Sequence, residues 1–181
     1  MSEKVVLSKV TAVVVTYQSA GTLDALFDAA RRCTAAKVLD FVFVDNGSKD
    51  ATPQILAKQT DWADVVITGV NNGFGRGCNI GLERVKTPYT LFLNPDAQIE
   101  PEAIETMVAF MDAHSHVGIV GPATQVEEQH EYQATSSLPT PWSVFRGSVP
   151  LLKSIGDARP ILPGSEPFPT GWVCGAVLMI R

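Results

Sequence analysis

Basic residues and cysteines are both scarce in this sequence. The 14 Lys and Arg residues are outnumbered by 19 Asp and Glu residues, and the formal net charge is -5 at pH 7. Proteins that bind nucleic acid need a basic surface to neutralise phosphates, so this balance argues against a nucleic-acid partner. The three cysteines lie far apart and are odd in number, which supports neither a disulfide framework nor a thiolate zinc site. We therefore expect a cytoplasmic protein.

Long apolar segments are also missing. The N-terminal MSEKVVLSKV is too polar for a signal peptide, and no apolar run approaches the roughly 20 residues needed to cross a bilayer. Any membrane contact is therefore expected to be peripheral. With 181 residues, of which 45% are hydrophobic, the chain can still bury one sizeable core.

Five short apolar runs recur between residues 10 and 122, each closed by polar residues, glycine or proline. They are TAVVVTY from Thr11, DFVFVDN from Asp40, DVVITG from Asp64, YTLFLN from Tyr89 and VGIVGP from Val117. Their β-branched and aromatic composition predicts central strands that are covered on both faces. Segments with helical spacing lie between them, so the sequence predicts a mostly parallel α/β sheet with helices on both faces.

The pattern changes after Pro122. The stretch Ala123–Pro169 is rich in proline, which predicts a long loop region rather than a second core. The chain then ends on the apolar run GWVCGAVLMIR, which is typical of a strand. We accordingly divide the sequence into an α/β half, residues 1–122, and an irregular segment with a final strand, residues 123–181, within one domain.

Polar residues follow four of the predicted strands. They are Thr16-Tyr17 after the first strand, Asp45–Asp50 after the second, Asn71–Gly77 after the third and Asn94-Pro95-Asp96 after the fourth. Parallel sheets bind ligands at the carboxyl ends of their strands, so we expect these loops to meet at one edge. Two acidic loops, and one that combines glycines with an arginine, suggest a pocket for a nucleoside diphosphate.

Two of these loops each allow two readings. The glycine-rich stretch NNGFGRG contains Arg76, whose permanently charged guanidinium suits a pyrophosphate, but a plain glycine-rich connection would look similar. The stretch Asp45–Asp50 is either an Asx-type turn before a helix or a strand end at which Asp45 accepts hydrogen bonds from a nucleoside.

Asp96 is the predicted metal ligand. Mg²⁺ and Mn²⁺ prefer hard oxygen ligands and often take one or two carboxylates, with phosphate and water completing the shell. Such an ion would assist the departure of a nucleoside diphosphate, on which negative charge accumulates. The alternative reading of Asn94-Pro95-Asp96 is a turn with a solvated aspartate.

The order of these motifs resembles that of the family-two glycosyltransferases, in particular the rhamnosyltransferase-like branch. The resemblance is carried by VVVTYQSAGTLDALFDA, VFVDNGSKDAT, NNGFGRGCNIGL, LFLNPDAQIEPEAI and WVCGAVLMIR. It implies a GT-A, Rossmann-like fold and a divalent Mg or Mn ion. It further implies sugar transfer, with inversion, from a nucleotide-diphosphate donor such as dTDP-rhamnose or a UDP-sugar. The acceptor would be the hydroxyl of a glycan or a lipid-linked sugar in polysaccharide biosynthesis.

The resemblance makes residues 1–122 the half that binds the nucleotide-sugar donor and residues 123–181 the start of the acceptor half. Residue by residue, it implies roles in donor binding. It places Thr16, Tyr17 and Asp45 around the nucleoside, Asn72, Arg76 and Asn79 near the ribose and diphosphate, and Asn94 and Asp96 at the family's D-x-D triplet, with Asp96 on the metal. One carboxylate of that triplet is an amide here, so weaker metal binding is expected. The family's base-bearing segment follows the match to WVCGAVLMIR, so we expect a chain truncated at its C-terminus and assign no catalytic residue.

Two functions of different kinds remain open. The first is an inverting, metal-assisted glycosyltransferase. The second is a catalytically silent domain that binds a nucleotide-sugar, because the base-bearing segment is absent from the sequence. A nucleotidyltransferase of similar topology is less favoured, since the TYQSAGT loop after the first strand offers no Lys or Arg.

Overall fold

The computed structural model describes residues 8–126, 131–132 and 165–181. The chain divides into two compact units, one of residues 1–121 with 175–181 and the other of residues 122–174. All the site residues predicted from the sequence belong to the first unit.

The first unit contains a six-stranded sheet. Its strands are β1 Val10–Thr16, β2 Asp40–Asp45, β3 Asp64–Ile67, β4 Tyr89–Leu93, β5 Ile119–Val120 and β8 Val177–Ile180. Its helices are α1 Leu23–Ala35, α2 Thr52–Leu56, α3 Phe74–Leu82 and α4 Pro101–Ala113, with a 3₁₀ turn Ala57–Gln59 after α2. In the second unit, β6 Gln125–Val126 pairs antiparallel with β7 Glu131–Tyr132.

The strand order of the sheet is β3-β2-β1-β4-β8-β5. Strands β1 to β4 pair in parallel, whereas β8 pairs antiparallel with both β4 and β5. The predicted mostly parallel α/β sheet is therefore confirmed.

Two strands predicted to be central lie at the edges of the sheet. β3 has no buried residue, and Ile119 in the two-residue β5 is 57% exposed. The prediction of cover on both faces was wrong for β3 and β5. For β5 the physical reason is that the last strand of the chain, β8, takes the place beside β4.

Successive residues of β1 point to opposite faces of the sheet, and a separate apolar cluster lies on each face. Val10, Ala12 and Val14 pack in a cluster that includes residues of α1 and α4. Val13 and Val15 pack with Cys78 of α3 in the other cluster. Helices therefore cover both faces, as the sequence predicted.

Helix α3 packs directly on β1 because two of its residues have no side chain. A Cβ atom at Gly77 would lie 2.7 Å from Val15 Cγ1, and one at Gly81 would lie closer still to Val13 Cγ1. A larger residue at either position would push the helix away from the sheet. This contact fixes the part of α3 that carries Arg76.

Most of the predicted irregular segment Ala123–Pro169 lies outside the described residues, which include only 123–126, 131–132 and 165–169 of it. The assignment of residues 1–122 and 123–181 to donor and acceptor halves stays a prediction. Within the described part of the chain, no helix is long and apolar enough to cross a membrane.

Candidate functional site

Four loops meet at one edge of the sheet, because β1 to β4 run in parallel and end at the same side. β2 and β3 lie on one side of β1 and β4 lies on the other, so the strand order reverses between β1 and β4. Parallel sheets open a crevice at such a reversal, and ligands bind there. The loops after β1 and β4, which contain Tyr17 and Asp96, flank this crevice.

Thr16 and Asp45 end neighbouring strands in register and are both fully buried. The Asp45 Oδ2 atom accepts hydrogen bonds from the backbone N–H groups of Gly47 (3.2 Å) and Ser48 (3.0 Å). The Thr16 hydroxyl lies 3.4 Å from the other carboxylate oxygen. The Asx-type turn is therefore present, and the predicted contact between Asp45 and a nucleoside stays a prediction.

Side chains of the β2–α2 loop and of the first residue of α2 bind three successive backbone amides of the β1–α1 loop. These bonds run from Gln18 N–H to Ser48 Oγ (2.9 Å), from Ser19 N–H to Thr52 Oγ1 (2.9 Å) and from Ala20 N–H to Asp50 Oδ2 (3.2 Å). Hydrogen bonding, chiefly from the Thr52 hydroxyl, lowers the pKa of Asp50. Asp50 therefore serves the loop itself, because it holds the backbone of the β1–α1 loop at Ala20.

Tyr17 is 46% exposed beside the crevice. Its backbone N–H donates to Ser19 Oγ at 3.2 Å, which closes a short local turn. An exposed aromatic ring on a fixed backbone offers a surface on which a flat heterocycle can stack.

The β2–α2 loop also contacts the loop after β3, backbone against backbone. Gly47 has φ +78°, and a Cβ atom there would lie 2.6 Å from Asn71 N and against Val70 C. Next to it, the buried Asn46 side chain binds both Asn71 and the backbone of Asn72. Only glycine fits at position 47, so the two loops are held at a fixed separation.

Asn72 lies two residues before α3, whereas Arg76 and Asn79 lie within the helix. Gly73, with φ +82°, caps its start. Asn72 is half-buried and donates from Nδ2 to Val70 O at 3.2 Å. Arg76 and Asn79 are exposed and one helical turn apart, so they share a face of the helix. Among the residues that the structure describes, Arg76 has no hydrogen-bond or ion-pair partner, which leaves its charge available to an anion.

The loop after β4 forms a turn in which Ala97 N–H donates to Asn94 O at 3.1 Å. The backbone N–H of Asn94 donates to Ala176 O, next to β8, at 2.8 Å. Asp96 is exposed and has no hydrogen-bond or ion-pair partner within the described ranges. The turn that the sequence offered as an alternative is thus present.

The described residues contain no cluster of three or more His, Cys, Asp or Glu side chains that could hold a metal ion. A single exposed carboxylate such as Asp96 fits Mg²⁺ or Mn²⁺ only where phosphate and water supply the other oxygens. The residues present therefore fit a metal that arrives with a diphosphate, and the predicted role of Asp96 stays a prediction.

A cleft of about 610 Å³ lies at the opposite, amino-terminal edge of the sheet. Its charged lining residues are of both signs and comprise Asp40, Asp61, Asp64, Arg84 and Lys86. Arg84 pairs with Asp64 at 3.4 Å, so part of this charge is already offset. None of the predicted site residues lines this cleft, which is therefore separate from the loop cluster.

The sheet order and the loops at its carboxyl edge define a GT-A fold. Solved structures similar to this chain include the mannosyltransferase PcManGT from Pyrobaculum calidifontis in complex with GDP-Man and Mn²⁺ (TM-score 0.57, 21% identity, 68% of this chain and 37% of that chain). Another is S. aureus TarS 1-349 in complex with UDP-GlcNAc (TM-score 0.53, 22% identity, 72% of this chain and 40% of that chain). The predicted GT-A fold is confirmed.

The sequence model of glycosyl transferase family 2 matches residues 11–157, so the chain belongs to that family. A relative from Mycobacterium tuberculosis (strain CDC 1551 / Oshkosh), N-acetylglucosaminyl-diphospho-decaprenol L-rhamnosyltransferase, is 23% identical over 190 aligned positions. The alignment covers 93% of this chain and 60% of that relative, so the chain spans about three fifths of the relative's length. The predicted membership of the family is confirmed, and this relative is a rhamnosyltransferase, which agrees with the predicted branch.

Sequence reasoning missed the side chains that tie the loops together, namely Asn46, Ser48, Asp50 and Thr52. Their residue types do indicate a turn after β2. Their partners lie 25 to 33 residues away in the sequence, however, and no local pattern identifies them.

Proposed function

We propose that this chain is the donor-binding part of a glycosyltransferase that transfers a sugar from a nucleotide-diphosphate donor to an acceptor hydroxyl, with inversion. One observation carries the proposal. Arg76 on the first turn of α3 and Asp96 after β4 are exposed at the same edge of the sheet, and neither has a partner among the described residues. A cation and a carboxylate left open in this way suit a diphosphate and the divalent ion that accompanies it.

In this proposal the guanidinium of Arg76 binds the donor diphosphate, and Asn72 and Asn79 bind its ribose and phosphate oxygens. Thr16, Tyr17 and Asp45 surround the nucleoside, and Asn94 and Asp96 face the metal-bound end of the donor. Asp96 would hold Mg²⁺ or Mn²⁺, which when bound offsets the charge that develops on the leaving diphosphate.

The substrate class is supported by what similar proteins bind. One of the similar structures is in complex with GDP-Man and Mn²⁺, and another with UDP-GlcNAc. The name of the mycobacterial relative includes a diphospho-decaprenol carrier. We propose dTDP-rhamnose or a UDP-sugar as donor and a glycan or lipid-linked sugar as acceptor. We place the reaction in the cytoplasm, with peripheral membrane contact where the acceptor is lipid-linked.

A second proposal is that the chain by itself binds the donor without transferring the sugar. It is favoured by the coverage of the mycobacterial relative, since the alignment spans 60% of that protein's length.

Calorimetric titration with UDP, dTDP and GDP, each with Mn²⁺ or with EDTA, tests donor binding. We expect at least one diphosphate to bind more tightly with Mn²⁺, whereas failure of all three to bind would contradict both proposals. Release of nucleoside diphosphate from the matching nucleotide-sugar, measured with and without acceptor, then separates a transferase from a binding domain.

A further inference from the structure

A pair of asparagine side chains, Asn46 and Asn71, connects the loops that follow β2 and β3. Asn46 is only 3% exposed. Its Oδ1 atom accepts from the Asn72 backbone N–H at 2.9 Å, and its Nδ2 atom donates to Asn71 Oδ1 at 3.2 Å. Asn71 Oδ1 also accepts from the Gly73 backbone N–H at 2.9 Å. We call these two residues the amide pair.

Backbone donors determine the orientation of both amides in this pair. The N–H groups of Asn72 and Gly73 can only donate, so the side-chain atoms that face them must be oxygens. The Nδ2 group of Asn46 is then directed to the remaining acceptor site of Asn71 Oδ1. Exchanging oxygen and nitrogen in either side chain would place two donors against each other, so one arrangement satisfies all three bonds.

The loop that the amide pair holds leads directly into α3. Gly73 caps this helix, and Arg76 is its third residue. On the other side of the loop, Gly47 packs against the peptide between Val70 and Asn71. The position of the first turn of α3 therefore depends on contacts made by the loop after β2.

We infer that Asn46 is a positioning residue, which through Asn71 and the backbone of Asn72 sets the geometry in which Arg76 and Asn72 meet the donor diphosphate. The ligand part of this inference rests on the proposed function, whereas the part that concerns the loop does not. In Asn46→Ala, the Asn72 N–H and one acceptor site on Asn71 lose their partners, so the loop gains freedom.

Hydrogen exchange in the ligand-free protein tests the loop. We expect Asn46→Ala to speed exchange of the Asn72 amide about fivefold, and Asn71→Ala to do the same for Gly73, because one hydrogen bond is lost in each case. Asn71→Asp should exchange almost like the wild type, since a carboxylate oxygen still accepts from both donors. Asn71 is exposed, so its variants decide the question if Asn46→Ala does not fold.

Gln59→Ala is the matched control. Gln59 is also a buried amide. Its side chain makes three hydrogen bonds, to Arg31, Trp62 and Ile55, and none of these contacts belongs to the loops at the site. It should destabilise the fold without changing exchange at Asn72 and Gly73. Unchanged exchange at these two amides in folded Asn46→Ala and Asn71→Ala would overturn the inference.

Binding of UDP and dTDP with Mn²⁺, and of uridine and thymidine, tests the role toward the ligand. We expect Asn46→Ala and Asn71→Ala to weaken diphosphate binding roughly tenfold, with little change for the nucleosides, because the phosphate contacts require the positioned helix. Faster loop exchange with unchanged diphosphate affinity would refute the positioning role. If the wild type does not bind a diphosphate, the proposed function and the role of Asn46 toward the ligand both fail. The hydrogen-exchange rates would still decide whether Asn46 and Asn71 hold the loop.

Discussion

The two sides of the crevice are built differently. On one side, the loops after β1, β2 and β3 are tied to one another by side chains that bind backbone amides, and Gly47 fits against the peptide of the neighbouring loop. On the other side, the loop after β4 is joined by a backbone hydrogen bond from Asn94 to Ala176, the residue before β8. There Asp96 projects into solvent, without a hydrogen-bond or ion-pair partner in the described ranges.

This difference suggests that the two sides of the proposed site have different roles in ligand binding. Binding costs little conformational entropy when the protein groups that contact the ligand are already held in place. Such preorganisation suits recognition of a nucleoside. An exposed carboxylate that lacks protein partners can instead adjust to a metal ion carried by the diphosphate. We call the loops after β1, β2 and β3 the tied side and the loop after β4 the open side. We expect changes to the contacts that tie the loops to affect the fold. Changes to exposed groups without partners, Arg76 on the tied side and Asp96 on the open side, should affect ligand binding alone.

The largest effect is expected from Gly47→Ala, which disrupts the tied side. The new Cβ would meet the Val70–Asn71 backbone, and alanine is strained at φ +78°. We expect the free energy of unfolding to fall by about 3 kcal/mol, measured by urea denaturation. Gly21→Ala is the control, because nothing lies within 4 Å of a Cβ atom there. Equal effects of the two substitutions would refute the close contact between the loops.

Next in size is Arg76→Ala, which removes a cation from the mouth of the site. Loss of a charge-assisted contact should weaken binding of UDP or dTDP about 30-fold and leave nucleoside binding nearly unchanged. The free energy of unfolding should stay within about 0.5 kcal/mol of the wild type, because Arg76 is exposed.

Arg84→Ala serves as the matched control for Arg76. Arg84 is also exposed but lies at the opposite edge, where it pairs with Asp64. An equal loss of affinity for nucleosides and diphosphates in Arg76→Ala, followed by calorimetry, would remove Arg76 from the phosphate site.

A smaller change is expected from Asp96→Ala, on the open side. In the wild type, replacing Mn²⁺ by EDTA should weaken diphosphate binding roughly tenfold, because Asp96 and the phosphates then repel each other. In Asp96→Ala both the metal anchor and the repulsion are gone, so EDTA should make little difference. Asp61→Ala, a change to an exposed carboxylate at the far edge, should retain the wild-type response. If the wild type binds the diphosphate equally well with Mn²⁺ and with EDTA, the metal has no place in the proposal.

The smallest effect concerns Asp50 and pH. Its folded pKa is lowered, chiefly by the Thr52 hydroxyl, so its stabilising contribution is complete above the unfolded pKa of about 3.9 and is lost as pH falls through the folded pKa. Asp50→Asn should therefore reduce stability at pH 7 and make the acid limb of a stability–pH curve shallower. An acid limb that keeps the wild-type slope would show that Asp50 does not bind the amides in solution.

Much of the fold was predictable because it depends on local pattern. The apolar runs of β1, β2 and β4 and the helical spacing of α1 and α4 are properties of contiguous residues. Pro101, a residue type suited to the first position of a helix, begins α4. The family followed from the order of motifs along the chain. By contrast, the edge positions of β3 and β5 depend on the order in which the strands pair, which no local pattern reports. β5 lies at its edge because the distant β8 pairs with β4.

The candidate site divides in the same way. By its residue types and their places after strands, the sequence determined that polar and acidic groups, an arginine and a glycine-rich loop would converge at one edge of a parallel sheet. Only the tertiary structure decided which of these groups are used internally. Asp45, Asp50 and Asn46 bind backbone amides, whereas Arg76 and Asp96 stay open to solvent. The physical reason is that a carboxylate or amide binds whichever donor the fold brings within about 3 Å, and residues far apart in sequence supply those donors.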